Sequence, residues 1–231
     1  MSDKDISKNL LTINSMCSLI DFSGEKVIEY LNNLLISDLN QLNNQKFNYS
    51  AICNPKGRIL SSLWIKIINI KHVQIICPSN MSDELIHFFN LRKFRQKIDI
   101  LKLDNNIIID KKHNEIKLTQ NEISDDNYYY PYLFEQNLPW VDKYNSEKFI
   151  PQHVNLDQHQ DIMSFTKGCY PGQEIIARMK FLGKIKKRMY LLKHTDYEKL
   201  LMNTKKEQIV SPVVHIYDNN IYAVQVIQPI K

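Results

Sequence analysis

The segment "FTKGCYPGQEIIAR", Phe165–Arg178, places one cysteine between two glycines and then continues in a helix-like pattern. The chain has 231 residues and five glycines, so two of the five flank the same thiol, Cys169. Gly168 and Gly172 permit backbone conformations that other residues resist, and they let another group approach the main chain closely. Pro171 suits the turn that precedes a helix. The segment therefore predicts a shaped loop that presents Cys169.

The residues after this loop have helical periodicity. The pattern predicts a helix whose buried side consists of Ile175, Ile176, Met179 and Leu182. Cys169 then precedes a helix N-terminus, whose partial positive charge, together with the neighbouring Lys167, favours thiolate over thiol. Glu174 and Arg178 are four residues apart on the helix and are expected to pair and to order it.

Other kinds of site were weighed from residue spacing. A cysteine hydrolase needs a histidine beside Cys169, and the sequence offers His153, His159, His194 and His215 without bringing any of them within reach. His153, Asp157 and His159 invite a metal site, but the separation of the two histidines fits neither a helical nor a common loop pattern, so no metal is predicted. Walker A and dinucleotide glycine motifs are absent from the sequence, which disfavours phosphate cradling.

Composition narrows the class of protein. A chain of 231 residues can form one large or two modest domains. No run approaches the roughly 18 apolar residues of a membrane span, and the first residues lack the order of a secretory signal, so we expect a cytoplasmic protein without membrane contact. The four cysteines are too scattered for a zinc knuckle or a redox pair, which favours reduced thiols.

The formal net charge is +5, which suits a partner that carries phosphates or carboxylates. A local basic run follows the cysteine segment and comprises Lys180, Lys184, Lys186, Lys187 and Arg188. An ordinary solvated face is the favoured explanation of such a run.

Periodicity predicts an α+β chain. A helix is expected within residues 25–42 and another from Ser82 to Lys97. Strands are expected at "NYSAIC", "RILSSLWIKIINI" and "HVQIIC", with shorter ones at "IDILKL", "NIIID" and "EIKL". The turn "NPKG", Asn54–Gly57, predicts a hairpin between the first two strands and carries Lys56 and Arg58 at its tip.

Two further stretches complete the chain. Residues 124–140 contain two prolines and six aromatics and are predicted to be an irregular connection, whose rings either anchor the core or stack on a heterocycle. From Lys184 onward three strand-like runs, with "DNN" as a hairpin tip, predict a β-module of about fifty residues. A module of that size should dock onto the rest of the chain.

At "KGCYPGQE", Lys167–Glu174, the sequence resembles the YgfZ family, folate-binding relatives of the aminomethyltransferase (T-protein) of glycine cleavage. The resemblance continues over "FIPQHVNLDQHQDIMSF", "ARMKFLGKIKKRMYLL", "SLIDFSGEKVIEYLNNLLISDLNQL" and "NPKGRIL", and it is densest from Lys148 to Leu192. It implies a T-protein-like folate-binding α+β fold with mixed sheets and packed helices. Residues 1–183 would form the folate-binding region, with a signature segment at 165–178, and residues 184–231 the small C-terminal β-module.

The resemblance also implies a function. It implies a protein that binds tetrahydrofolate or another reduced folate, supports the synthesis or repair of iron–sulfur enzymes, and through such client enzymes affects tRNA modification. Cys169 is the implied reactive residue. The other implied site residues are Lys167, Gly168, Tyr170, Gly172, Gln173, Glu174 and Arg178, with Lys56 and Arg58 as further cations for the glutamate tail of the folate.

The chain departs from the family pattern in two respects. The chain is short for the family, with less sequence in the middle and at the C-terminus. The tail also lacks the glycine expected before Val210 and Ser211.

Two other functions stay open at this point. An aminomethyltransferase in the strict sense needs an acid–base group beside the reacting nitrogen, for which Asp110 and Asp157 are the guesses. A non-enzymatic tRNA-binding module would use the basic run and the tyrosine-rich stretch, with bases on rings and phosphates on lysines. The chain itself has no spacing of cluster ligands, so the clusters in question would belong to other proteins.

Overall fold

The computed structural model describes residues 10–120, 128–202, 204–205, 208–216 and 221–230. The strands in chain order are β1 Leu10–Thr12, β2 Cys17–Ser23, β3 Asn48–Cys53, β4 Ile59–Asn69, β5 His72–Pro78, β6 Asp99–Leu103, β7 Asn106–Asp110, β8 Glu115–Thr119, β9 Lys187–His194, β10 Val214–Ile216 and β11 Ile221–Pro229. The α-helices are α1 Val27–Asn32, α2 Ser82–Arg92, α3 Tyr129–Glu135, α4 Gln173–Phe181 and α5 Tyr197–Met202. Strands and helices are intermingled, which confirms the α+β class.

A five-stranded sheet has the order β3-β4-β5-β2-β6. Each neighbouring pair in it is antiparallel, and the β3–β4 hairpin turns at the predicted Asn54–Gly57. Helices α1 and α2 cover one face of this sheet, where Phe22 and Phe89 meet edge to face with ring centroids 4.9 Å apart. The alternation of β-branched residues therefore predicts these strands correctly.

The first helix is shorter than its periodicity predicts. The apolar residues of the segment continue to be buried after α1 ends, but the chain leaves the helix at Asn33. Leu35 then forms a β-bridge with Ile52, and the Ile36 amide donates to the Ala51 carbonyl at 3.0 Å. Pairing with the edge of β3 satisfies these backbone groups outside a helix.

The second predicted helix also ends early, at Arg92 instead of Lys97. Phe94 has a φ of 48°, which is incompatible with a right-handed helix.

A second sheet, β1-β7-β8, closes over the other large core. The aromatic stretch also packs there, and its described part is not irregular as predicted: α3 spans Tyr129–Glu135. Pro131 lies in the first turn of α3, where the missing N–H has no partner to lose, so it does not prevent the helix. Residues 124–127 lie outside the described ones.

The tail forms a third sheet of order β10-β11-β9. Val224 and Val226 pack against Leu200 of α5, while Ile227, on the opposite face of β11, joins the main core together with Met189. The "DNN" tip lies outside the described residues. This sheet is therefore docked through one face onto the rest of the molecule.

Candidate functional site

The signature segment is tied at its start to the end of α1. The ammonium of Lys167 donates to the carbonyl oxygens of Asn32, Leu35 and Ser37 at 2.6, 2.5 and 2.6 Å. Burial lowers the pKa of Lys167 to about 7, whereas the nearby Asp38 carboxylate and the three carbonyl acceptors favour its charged form. All three donors of this ammonium are occupied, so the geometry does not support the predicted role of Lys167 in folate binding or beside the thiol.

The segment is tied at its other end to the β3–β4 turn. Gly172 has a φ of 81°, and a Cβ there would lie 2.5 Å from the Asn54 carbonyl oxygen and 2.6 Å from the Cα of Gly57. Gly57, with a φ of 72°, in turn packs against Ile175 and Ile176 of α4. Gly172 is therefore required by both conformation and space.

Gly168 does not have the conformation that the sequence suggests. It is not among the glycines with positive φ, and a Cβ built on it would meet no atom within 4 Å. Nothing in the fold of the described residues therefore requires glycine at this position.

Cys169 is exposed, whereas Cys17, Cys53 and Cys77 are buried. Burial raises the pKa of Cys17, and it raises that of Cys77 to about 12, so these thiols stay neutral. Among the described residues, no histidine hydrogen-bonds to Cys169. Cys169 thus lies on a loop anchored at both ends, open to an approaching molecule.

Tyr170 and Gln173 serve the loop itself. The Tyr170 side chain is buried, and its hydroxyl donates to the Ser164 carbonyl at 3.2 Å. The Gln173 amide reaches back to the Lys167 carbonyl at 3.5 Å. The ring of Tyr170 is therefore a packing group in this geometry and not an accessible stacking surface.

The exposed face of α4 is larger than predicted. Ile176 is buried, but Ile175 is 38% exposed and Leu182 is 84% exposed, so the predicted apolar side is wrong for these two residues. The reason is that α4 packs on the β3–β4 turn and on Pro151–Val154, and these contacts leave part of Ile175 and most of Leu182 uncovered. The predicted Glu174–Arg178 pair is confirmed at 2.9 Å, with both side chains largely exposed.

The hairpin cations lie beside a concavity of about 480 Å³ lined by Asn54, Pro55, Lys56, Arg58 and Glu147. Arg58 donates through Nη1 to the Lys148 carbonyl at 2.9 Å. Lys56 is exposed. The signature segment and the two hairpin cations are thus brought together through the contact of Gly172 with Asn54 and Gly57.

A cavity of about 680 Å³ lies between the end of β5, the segment after α3 and the stretch before β10. Its lining includes Met16, Tyr130, Trp140, Asp142, Tyr144 and Lys148. Asp142 accepts hydrogen bonds from the Asn80 side chain at 3.2 Å and the Tyr144 amide at 2.9 Å. Burial first, and then the charge of Asp142, raises the pKa of Tyr130. Cys169 is not among the residues that line this cavity.

Sequence reasoning missed Asp142 and Lys148 as functional candidates. The aromatic density of residues 124–140 predicts either core anchors or a stacking surface, and most of the described rings are core anchors: Tyr129, Tyr132, Phe134 and Trp140. No motif marks the carboxylate and the cation that follow.

The guessed acid–base groups are occupied elsewhere. Asp157 forms a two-pronged ion pair with Arg188. Asp110 is paired with Lys117 at 2.8 Å and with His113 at 2.7 Å. Burial alone would raise the pKa of Asp110, but its bonded partners lower it to about 2. Neither carboxylate lines the 680 Å³ cavity, so neither guess is supported.

The histidines do not form the considered sites. The Asp157 carboxylate is held by Arg188, which is incompatible with the metal site weighed for His153 and His159. His194 accepts from the Asp196 amide at 2.8 Å, and His215 stacks on Tyr222 with ring centroids 4.7 Å apart. No helix in the described chain is both long and apolar enough to cross a membrane.

The amino-acid sequence is similar to those of named proteins. No family model matches the chain. The tRNA-modifying protein YgfZ of Blochmanniella pennsylvanica (strain BPEN) is 29% identical over 250 aligned positions, which cover 85% of this chain and 75% of that protein. The protein of the same name from Serratia proteamaculans (strain 568) is 42% identical over 85 positions, 37% of this chain and 24% of that protein.

A solved structure supports the fold independently. The glycine cleavage system aminomethyltransferase T from Bartonella henselae superposes with a TM-score of 0.61 over 95% of this chain and 78% of that chain. At 12% sequence identity, this likeness shows the T-protein-like fold alone. Together with the named relatives, it confirms the resemblance to the YgfZ family that the signature segment indicates.

Proposed function

We propose that this protein binds a reduced folate, such as tetrahydrofolate, in the 680 Å³ cavity, and that it supports tRNA modification by maintaining iron–sulfur client enzymes in the cytoplasm. The relatives named tRNA-modifying protein YgfZ and the T-protein-like fold support the folate and tRNA-modification parts of the proposal. A reduced folate supplies a one-carbon carrier when it is bound. The residues of this chain supply its binding and orientation.

The cavity with its rings and one carboxylate carries the proposal. Its volume of about 680 Å³ lies within the range of small-molecule sites. Tyr130 is partly exposed and offers a ring to a heterocycle, and the more exposed Tyr144 offers a ring at the mouth. Trp140 is 1% exposed and packs in the core. A carboxylate accepts more hydrogen bonds than the two that Asp142 makes, so it can accept from the N–H groups of a pterin. A smaller cavity of about 400 Å³ beside His159 and Asp161 is half lined by amides and carboxylates. Its four aromatic rings are each at most 5% exposed, so they offer a pterin less open surface: Phe47, Tyr49, Trp64 and Tyr132.

Cations continue from this cavity towards the signature segment. Lys148 lines the cavity, and its ammonium donates to the Tyr144 carbonyl at 2.7 Å. The adjacent Glu147 lines the 480 Å³ concavity that holds Lys56 and Arg58. We assign the glutamate tail of the folate to this path, because its carboxylates need cationic partners.

Cys169 is the proposed reactive group for the client. It is exposed on a loop whose anchored end touches the hairpin turn, so it is open to a second protein while the folate occupies the cavity. Its role is proposed to be contact with a client's cluster or cluster ligands through the thiolate, which is the form that binds metal.

The thiol role is tested by Cys169→Ser, because the exposed position tolerates the change without loss of packing. We expect the variant to bind tetrahydrofolate and folinic acid like wild type by calorimetry, yet to rescue an iron–sulfur tRNA-modifying enzyme poorly in a strain that lacks the gene. Buried Cys53→Ser is the matched control for thiol loss outside the loop, after its folded fraction has been checked. Full rescue by Cys169→Ser would refute the thiol role.

One observation keeps aminomethyl transfer as a second candidate: the Asp142 carboxylate lies in the cavity, where that chemistry needs an acid–base group. Incubation with an aminomethylated lipoyl carrier protein and tetrahydrofolate, followed by quantification of released ammonia, tests it. Release that depends on Asp142 would establish transferase activity, whereas its absence in protein that binds folate would remove it.

A further inference from the structure

A second surface, far in sequence from the signature segment, combines exposed apolar side chains with positive charge. It lies at the end of α2, and we name it the helix-end patch: Leu91, Arg92, Phe94, Arg95 and Lys97, with Lys26 facing them. Phe94 is 86% exposed and Leu91 is 61% exposed. What sets this ring apart from other exposed apolar side chains is that it lies among cationic residues beside a concavity.

The backbone at Phe94 points the same way. Its φ of 48° lies in the left-handed region, where bulky side chains are strained. The other described non-glycine residues with positive φ are Asn114, Asn137, Glu147 and Asn155. Phe94 directly follows Lys93, the C-cap residue of α2, and a left-handed residue at this position commonly ends a helix. The conformation therefore fixes where the ring leaves the helix.

The patch is concave and has an unused polar group. Residues 94–97 line a concavity of about 670 Å³ together with Glu25 and Lys26. The side-chain oxygen of Gln96 is buried and has no hydrogen-bond donor within the described chain. Glu25 is paired with Lys71 at 2.5 Å and Lys26 with Glu29 at 4.0 Å, so the positive charge of the lining rests on the exposed Arg95 and Lys97.

We propose that the helix-end patch binds a single-stranded segment of RNA. Phe94 provides a ring on which one base stacks, and Arg95 and Lys97 face the flanking phosphates. A lipid surface fits less well, because a membrane-docking face inserts its apolar side chains into the lipid interface, whereas here the ring borders a concavity. This surface is distinct from the folate cavity and does not depend on the folate proposal.

Fluorescence anisotropy with a labelled 12-nucleotide single-stranded RNA of mixed sequence tests the proposal in the full-length protein. Phe94→Ala should weaken binding at least fivefold, consistent with the loss of one stacked base. Arg95→Gln combined with Lys97→Gln should weaken binding and reduce the salt dependence of log K. Lys184→Gln combined with Lys186→Gln, which removes equal charge from the basic run after α4, should leave binding within twofold of wild type.

Two further measurements test whether a base stacks on Phe94 and whether the patch prefers a lipid surface to RNA. An abasic oligomer of the same length should bind at least fivefold more weakly than the RNA if a base stacks on Phe94. Vesicles of phosphatidylcholine and phosphatidylserine should bind less than the RNA at equal phosphate. The proposal is overturned if wild type does not bind the RNA at 50 mM salt, or if Phe94→Ala or the abasic oligomer binds like its parent. It is also overturned if the Lys184/Lys186 variant loses as much affinity as the Arg95/Lys97 variant, or if vesicles bind more strongly than the RNA.

Discussion

Lys167 shows how a residue can be essential to a loop without touching a ligand. It donates to the carbonyl of Asn32, the last residue of α1, and to those of Leu35 and Ser37 in the segment that follows. The carbonyls at a helix end have no partner within the helix. Lys167→Met keeps the length of the side chain but leaves these acceptors unpaired. We expect a loss of at least ~2 kcal/mol in the free energy of unfolding, measured by urea titration. The exposed Lys184→Met should cost less than ~0.5 kcal/mol, and an equal loss in both variants would contradict the structural role.

Asp110 gives the molecule a defined acid sensitivity. Its pKa of about 2 in the folded state lies below the ordinary value of 3.8, so it stabilises the fold above pH 3.8, and this contribution is lost as pH falls towards 2. Since Lys117 is partly exposed, we discount the contribution to about 1–2 kcal/mol. The difference in unfolding free energy between wild type and Asp110→Asn should be of this size at pH 7 and smaller at pH 3. A difference that is unchanged or larger at pH 3 would contradict the assignment, and the exposed Asp99→Asn serves as the control.

At the scale of the elements, alanine substitution is expected to have opposite effects on stability at the two glycines around Cys169. Gly172→Ala introduces a Cβ 2.5 Å from the Asn54 carbonyl oxygen at a φ of 81°, so it should destabilise the protein by at least ~2 kcal/mol. Gly168→Ala meets open space and should change stability by less than ~0.5 kcal/mol. Thermal unfolding of the two variants tests this, and similar melting temperatures would show that the contact between the loop and the hairpin turn is not formed.

The same elements show what sequence patterns can and cannot predict. The strands and the Asn54–Gly57 hairpin follow from alternation and turn chemistry, which are local. The end of α1 does not follow from local patterns, because it depends on pairing with β3. The exposed face of α4 does not follow from them either, because it depends on how α4 contacts Gly57. The cysteine loop was recognisable from its motif, whereas Asp142 joins the cavity only through tertiary structure.

At the scale of the whole molecule, side-chain amides join the C-terminal sheet to the main core. Asn145 donates to the Val210 carbonyl at 2.7 Å, and Gln225 donates to the Leu138 carbonyl at 2.9 Å. Val210 also lines the 680 Å³ cavity, so residues from the predicted folate-binding region and from the C-terminal module both contribute to it. Folate binding should therefore depend on the docked arrangement of the whole chain.

Calorimetric titration of 5-formyltetrahydrofolate into wild type, Tyr144→Ala and Asp142→Asn tests the account most directly. Tyr144 is 80% exposed, so its loss should leave the fold intact while removing a ring from the cavity mouth. We predict saturable binding to wild type. The affinity of Tyr144→Ala should be at least about fivefold lower than that of wild type, and that of Asp142→Asn at least about tenfold lower. Leu182→Ala changes an exposed residue that directly follows α4 and does not line the cavity, so this variant should bind like wild type. Absence of binding to wild type, or equal affinity in all four proteins, would contradict the assignment of the folate to this cavity.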